Sequence, residues 1–372
     1  MPTLEVVKGV GVAAMRLSIA LAVMSAPGFT FAHPLAVPAL STLAEAASVK
    51  LGASGVLGFY TARLPSGELP DRREVKSALV VVHGYPRDAN RTLLAAARAA
   101  KQAGCAADTV VVAPLFQVET SVAKSCDFPG VPAAKKNDAL WSCSSWIDGG
   151  QAKEGGVTSF QALDALQQRL VERWPRLKSV TVAGFSAGGQ FVQRYVGFAR
   201  PPSGVRVRYV VADPGSWLYF DAQRPTPVDN GQAIAWAQCQ DLNCEFDWAP
   251  LSAAELAACP QANRWKYGTE GLPAALGSDA RQARARYAEA EVAYLEGALD
   301  TGEHHGAFFK ILDRSCAANL QGSYRLQRGL AYAAYDKRFL ASSHSLAIVP
   351  GCAHDVTCVF VSEPARPVLF PQ

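Results

Sequence analysis

Ser186 stands in Gly184-Phe185-Ser186-Ala187-Gly188-Gly189, directly after the apolar run Ser179-Val-Thr-Val-Ala183. A serine hydroxyl is a poor nucleophile at neutral pH and needs a base to take its proton. The flanking glycines suit a very tight strand-to-helix bend, because they remove the Cβ atoms that would collide there and let the hydroxyl project. About 0.16 chance matches to Gly-x-Ser-x-Gly are expected in such a chain. The pattern occurs once. The alternative is a glycine-rich turn that only packs a helix on a strand.

The chain has six His from which to choose a base. His354, in Val349-Pro350-Gly351-Cys352-Ala353-His354-Asp355, follows the last apolar run and can reach back over a sheet to Ser186. The base needs a carboxylate to fix its tautomer and stabilise the imidazolium. Asp300 follows the run Val292–Glu296 and supplies the order Ser, Asp, His; Asp213, after Val207–Ala212, is the alternative. Asp355 adjoins His354 too closely to reach its ring from the correct side. An acyl-transfer site also needs donors for a developing oxyanion. The amide of Ala187 opens the helix after Ser186. The amide of Tyr85, in His83-Gly84-Tyr85 after the first strong strand, is the second candidate, with His83 structural. Trp141, Trp146 and Trp217 fall near the same strand ends, and Trp146 and Trp217 are candidate substrate-binding side chains. Arg87 reads as a solvated loop residue. Asp300, Glu303, His304 and His305 are a weak metal cluster, since adjacent His rarely bind one ion; no metal or cofactor is expected.

These residues need a scaffold that brings strand ends together. Ser77–His83, Thr109–Ala113 (stopped by Pro114), 179–183, 207–212, 292–296 and 345–349 are β-rich runs. Helical patterns over 91–104, 158–173, 187–198, 279–290 and 323–340 alternate with them, and Thr158 with Gln161 forms a capping box. Such alternation predicts a parallel α/β sheet, whose functional groups gather at the carboxyl ends of the strands. Residues 33–50 read as a Pro/Ala-rich lead-in. The stretch 213–286, with Trp217, Trp236, Trp248, Trp265 and three Cys, interrupts the alternation as a lid-like or binding insertion.

The combination of HGY after the first core strand, GFSAGG, Asp300 and His354 resembles the α/β-hydrolase superfamily over residues ~75–365. The GFSAGG form is similar to that of secreted esterases such as polyhydroxyalkanoate depolymerases and feruloyl esterases. The resemblance implies an eight-stranded, mostly parallel sheet flanked by helices, and hydrolysis of carboxylic esters through an acyl-serine. Two rivals stand beside it: a serine peptidase or amidase using the same three residues, and a non-catalytic binding module on the same fold.

Composition sets the surroundings. The 372 residues are 49% hydrophobic and only 18% charged, enough apolar content to exclude wholesale disorder. A net charge of +4 without a basic stripe argues against a nucleic-acid binder. Lys8 and Arg16, the apolar run Leu17–Met24 and Thr30-Phe31-Ala32 have the order of an export signal cleaved after Ala32, with Met1 or Met15 as start. The mature chain, 33–372, is then secreted or periplasmic. The leader's apolar run is too short to span a bilayer, so no stable membrane insertion is expected. Export makes disulfides the natural state of the nine Cys. Cys352–Cys358 and Cys126–Cys143 are the readable pairs, and Cys105 is the candidate free, buried thiol. The expected partner is a small-molecule or polymeric ester; the oligomeric state is not legible.

Overall fold

The computed structural model describes residues 38–239, 242–303, 306–341 and 343–371. The expected leader, His33, and the pair His304–His305 lie outside them. In chain order the main elements are β1 (Ala44–Lys50), β2 (Val56–Ala62), β3 (Ser77–Val82), α1 (Ala89–Gln102), β4 (Thr109–Leu115) and α2 (Ser159–Arg173). There follow β5 (Ser179–Phe185), α3 (Ala187–Val196), β6 (Arg206–Ala212), β7 (Gln223–Asp229) and β8 (Glu245–Pro250). The chain closes with α4 (Ala280–Glu289), β9 (Glu291–Gly297), α5 (Arg325–Phe339) and β10 (Ser345–Val349).

Eight of these strands form one sheet in the order β1-β2-β4-β3-β5-β6-β9-β10. From β4 to β10 every pairing is parallel, whereas β1 and β2 add an antiparallel edge. The continuous apolar runs are buried because both faces of the sheet are covered. Alternate residues of each strand feed opposite layers, as a period of two requires. Val80 and Val82 of β3, Val180 and Val182 of β5, and Tyr294 of β9 join one core with Leu163 of α2, Phe191 of α3, Tyr287 of α4 and Tyr332 of α5. Leu79, Val81, Ala183 and Leu295 face the other, with Leu93 of α1 and the C-terminal Val359 and Phe360. Helix α2 starts at the expected capping box of Thr158 and Gln161.

Three sequence expectations change. Residues 44–50, read as lead-in, are the edge strand β1. Their Ala-rich run has weak strand propensity, and their burial alternates because only one face is covered. Strand β4 continues through Pro114 instead of stopping there. Its pairing with β3 ends at Val112, so the missing proline N–H takes no ladder bond from that neighbour. Cys105 is the unpaired thiol but is only half-buried.

The interruption between β6 and α4 holds a three-stranded antiparallel sheet that includes β7 and β8. Cys239–Cys244 closes a short loop there, and Cys259–Cys316 ties the segment to the chain beyond β9. Trp248 of β8 packs on Tyr335 and Phe339 of α5, with ring centroids 5.7 Å away in each case. The bridges Cys126–Cys143 and Cys352–Cys358 are both formed. Among the described residues no helix is long and apolar enough to cross a membrane.

Candidate active site

Strands β3, β5, β6, β9 and β10 run in one direction, so the residues that follow them share one edge of the sheet. Ser186 follows β5 on a backbone with φ 59° and ψ −119°, a strained conformation for a residue with a side chain. Close packing on both sides enforces it. A Cβ at Gly184 would collide with the Gly188 carbonyl, and one at Gly188 with the carbonyls of Val82 and His83. The start of α3 is thereby seated directly against the turn that follows β3. The Ser186 N–H donates to the Ala212 carbonyl at 2.9 Å, fastening the bend to β6.

His354 and Asp300 meet Ser186 in a continuous chain. His354 Nε2 lies 2.8 Å from Ser186 Oγ, and His354 Nδ1 lies 2.6 Å from Asp300 Oδ2. An ionised carboxylate only accepts, so Nδ1 carries the proton and Nε2 is left to accept from the hydroxyl. Asp300 is buried, and its carbonyl accepts from the Leu326 N–H at 3.1 Å at the start of α5. The Asp300 and His354 loops also brace each other, since the Leu299 N–H donates to the Cys352 carbonyl at 2.8 Å. The His354 N–H donates to the Gly306 carbonyl at 3.1 Å. Phe185 lies beneath the imidazole, with ring centroids 4.6 Å apart. Burial lowers the His354 pKa below the usual imidazole value, and the cation of Arg325 adds to this; Asp300 opposes both.

Asp213, the alternative acid, does not touch His354. It is buried and accepts from the Gly297 N–H at 2.8 Å. Asp355 turns away to cap the following helical turn and to pair with Arg91 at 2.8 Å.

The two candidate oxyanion amides have no hydrogen-bond partner among the described residues. That of Ala187 is the first of α3, where the positive end of the helix favours negative charge. That of Tyr85 lies in the turn closed by the Arg87 N–H donating to the Gly84 carbonyl at 3.0 Å. His83 holds this turn from inside. Its Nδ1 donates to the Gly84 carbonyl at 2.9 Å and its Nε2 accepts from the Phe116 N–H at 3.2 Å, so both ring nitrogens are engaged in the neutral form. Complete burial pushes its pKa down to about 3. Arg87, expected in solvent, is buried instead. It binds Gln117, the Cys126 carbonyl and Asp127, anchoring the turn to the Cys126–Cys143 loop.

The two Trp expected to touch substrate are core residues. Trp146 is fully buried, stacks on Phe116 at 5.4 Å and donates its Nε1–H to the Cys143 carbonyl. Trp217 is also fully buried and stacks on Tyr332 at 4.3 Å. A side chain without accessible surface cannot contact a ligand in this conformation. Among the described residues, the exposed apolar groups on the loops that carry these residues are Tyr85 (37% accessible), Leu299 and Phe308 (51%). The Phe308 ring lies edge-on to His354, with centroids 6.1 Å apart, on a left-handed backbone at φ 48°. The sequence offered no motif for Phe308, nor for the buried Arg325 and Glu296 beside Asp300. The one available signal was Glu296 itself, an ionisable residue ending the apolar run Val292–Leu295. The weak metal cluster of Asp300, Glu303, His304 and His305 falls partly outside the described residues, and no group of three metal-ligating side chains occurs among those described.

No family model and no curated protein matches the sequence. Solved structures do match the fold. The chain is similar to poly(aspartic acid) hydrolase-1 from Sphingomonas sp. KT-1, with 21% identity and a TM-score of 0.52 over 85% of this chain and 95% of that one. It is similar as well to LpqC, a poly(3-hydroxybutyrate) depolymerase from Bordetella parapertussis, with 20% identity and a TM-score of 0.53 over 88% of this chain and 89% of that one. The chain has the α/β-hydrolase fold.

Proposed function

We propose that the protein is an exported serine hydrolase of carboxylic esters, working through an acyl-serine. The observation that carries this reading is the chain Ser186 Oγ, His354 Nε2, His354 Nδ1, Asp300 Oδ2, with its contacts of 2.8 and 2.6 Å. His354 takes the Ser186 proton as Oγ adds to the ester carbonyl carbon. The carbonyl oxygen becomes an anion facing the amides of Tyr85 and Ala187. As the tetrahedral intermediate collapses, the carbon–oxygen bond to the alcohol breaks and the imidazolium protonates the departing oxygen. Water then repeats the sequence against the acyl-serine, releasing the acid and restoring Ser186. No step calls for a group other than these residues and water.

Export is supported by the four disulfides and the leader-like N-terminus, and residues 33–372 are then the working domain. Poly(3-hydroxybutyrate) and poly(aspartic acid) belong in the substrate panel because the two similar structures bear those names, alongside short acyl and aryl esters. Parallel ester and peptide assays separate the esterase reading from the amidase one. Ser186→Ala is expected to lower ester turnover at least about a thousandfold with unchanged thermal unfolding. Near-normal turnover in that variant overturns the assignment.

A further inference from the structure

Three carboxyl groups crowd the carboxyl ends of β6 and β9. Asp213, Glu296 and Asp300 are all buried. Glu296 finds no N–H or O–H donor for either oxygen among the described residues, and neither does Asp213 Oδ2. Asp213 and Glu296 face each other, and both are held well above the usual carboxyl range, by burial first and then by neighbouring carboxylates. A proton shared between them would supply the donor that their unpartnered oxygens lack. Helix α5 closes over the pair, since a Cβ at Gly329 would run into the Glu296 carboxyl.

Against this cluster stands one buried cation. Arg325, at the start of α5, donates from Nη1 to Asp300 Oδ1 at 3.2 Å and to the Ala307 carbonyl at 2.6 Å. Ala307 adjoins Gly306, whose carbonyl receives the His354 N–H, and Phe308, whose ring borders the imidazole.

We propose that Arg325 is a positioning residue for the reaction: it holds Asp300 with Oδ2 on the imidazole and clamps the 306–308 segment on which the His354 backbone rests. The inference depends on the reading of Ser186, His354 and Asp300 given above. Its physical basis is the division of labour between the two Asp300 oxygens. Oδ2 orients His354. Without Arg325, Oδ1 would face Asp213 and Glu296 with no counter-charge, and the carboxylate would gain by taking up a proton or rotating away. Either change removes the acceptor that fixes the imidazole tautomer. The guanidinium also opposes formation of the imidazolium. Among the described residues, the charged groups acting on His354 are Asp300, Arg325 and Arg91, the last paired with Asp355. Arg328, the other buried cation of α5, is engaged by the carbonyls of Gly215 and Gly322 and does not substitute for Arg325.

The test is steady-state hydrolysis of a soluble aryl ester by the full mature chain, followed from pH 4 to 9. Arg325→Met is expected to lower kcat at least about tenfold while KM changes less than about threefold. The acidic limb of its profile is expected to shift by more than about half a pH unit, since Arg325 acts on the imidazole both directly and through Asp300. Arg325→Lys keeps the charge and is expected to recover most of kcat and return the limb toward its original position. A merely structural staple would lower the melting temperature and the active fraction without moving the limb. Should Arg325→Met fail to fold, Arg325→Gln carries the same prediction, because its amide can still donate to Ala307. A folded neutral variant with unaltered kcat and an unmoved limb overturns the proposal. If neither neutral variant folds, the unsubstituted protein decides: an acidic limb at or above pH 6.5 overturns the proposal, since burial and the guanidinium together must hold the imidazole below its ordinary value. Failure of the triad reading is distinguishable, because the unsubstituted protein would then neither turn over esters nor react with a fluorophosphonate.

Discussion

At Ser186 the chemistry depends on a proton held in the right place more than on the hydroxyl itself. His354 must be neutral to accept that proton. Its pKa lies below the ordinary 6.5 because burial and Arg325 outweigh Asp300. Ester turnover should therefore stay on its plateau as pH falls through 6.5 and decline only below it; a rate already halved at pH 6.5 contradicts this. Asp300→Asn should cost on the order of a thousandfold in kcat, as the amide can donate to Nδ1 and select the wrong tautomer. Retention of more than a tenth of the activity would remove Asp300 from its role. Ser186, Asp300 and His354 were legible because each follows an apolar strand. Arg325 and Phe308 were not, since their partners are separated from them in sequence and they belong to no motif. Trp146 and Trp217 were misread because an aromatic near a strand end looks the same in sequence whether it lines a cleft or fills a core.

Two loops carry the proposed general base and its acid, and their rigidity comes from identifiable ties. Cys352–Cys358 closes the six-residue separation on which His354 sits. Removing both cysteines by Cys352→Ala and Cys358→Ala should cost about 2 kcal/mol of stability by loop-closure entropy. It should also lower kcat more than KM, because the loop must then be ordered during catalysis. An unchanged kcat in the double variant would show that the Leu299–Cys352 backbone bond and the Gly306 contact suffice. Among the elements, the buried parallel strands and the capped helix α2 were readable from apolar runs and one capping box. Strand β1 was not, because an Ala-rich edge strand covered on one face leaves only a weak alternation. The sheet inside the 213–286 segment was hidden for a related reason: β7 reads Gln-Arg-Pro-Thr-Pro-Val-Asp, and its two prolines argue against a strand until its place in a small antiparallel sheet is seen.

Over the whole molecule, buried titratable groups tie stability to pH. His83 is neutral in the folded protein down to about pH 3, whereas an unfolded chain protonates it near 6.5. The unfolded state thus binds the extra proton first, and stability present above pH 6.5 is lost as pH falls towards 3. The contribution is about 1.4 kcal/mol for each pH unit inside that window. The buried carboxyls Asp213 and Glu296 act in the opposite sense, since they keep protons that an unfolded chain releases above about pH 4. Comparing urea unfolding of the protein and His83→Asn from pH 7 to 4 isolates the histidine. The difference between them should change with pH at that slope, and a constant difference refutes a buried neutral His83. The central claim concerns one oxygen atom. Mass spectrometry of the intact protein after reaction with a fluorophosphonate, followed by peptide mapping, tests it most directly. One phosphonyl group per chain is expected, on the peptide containing Ser186, and none when His354 is replaced by Ala. Labelling on a different residue, or no labelling of the folded protein, would contradict it.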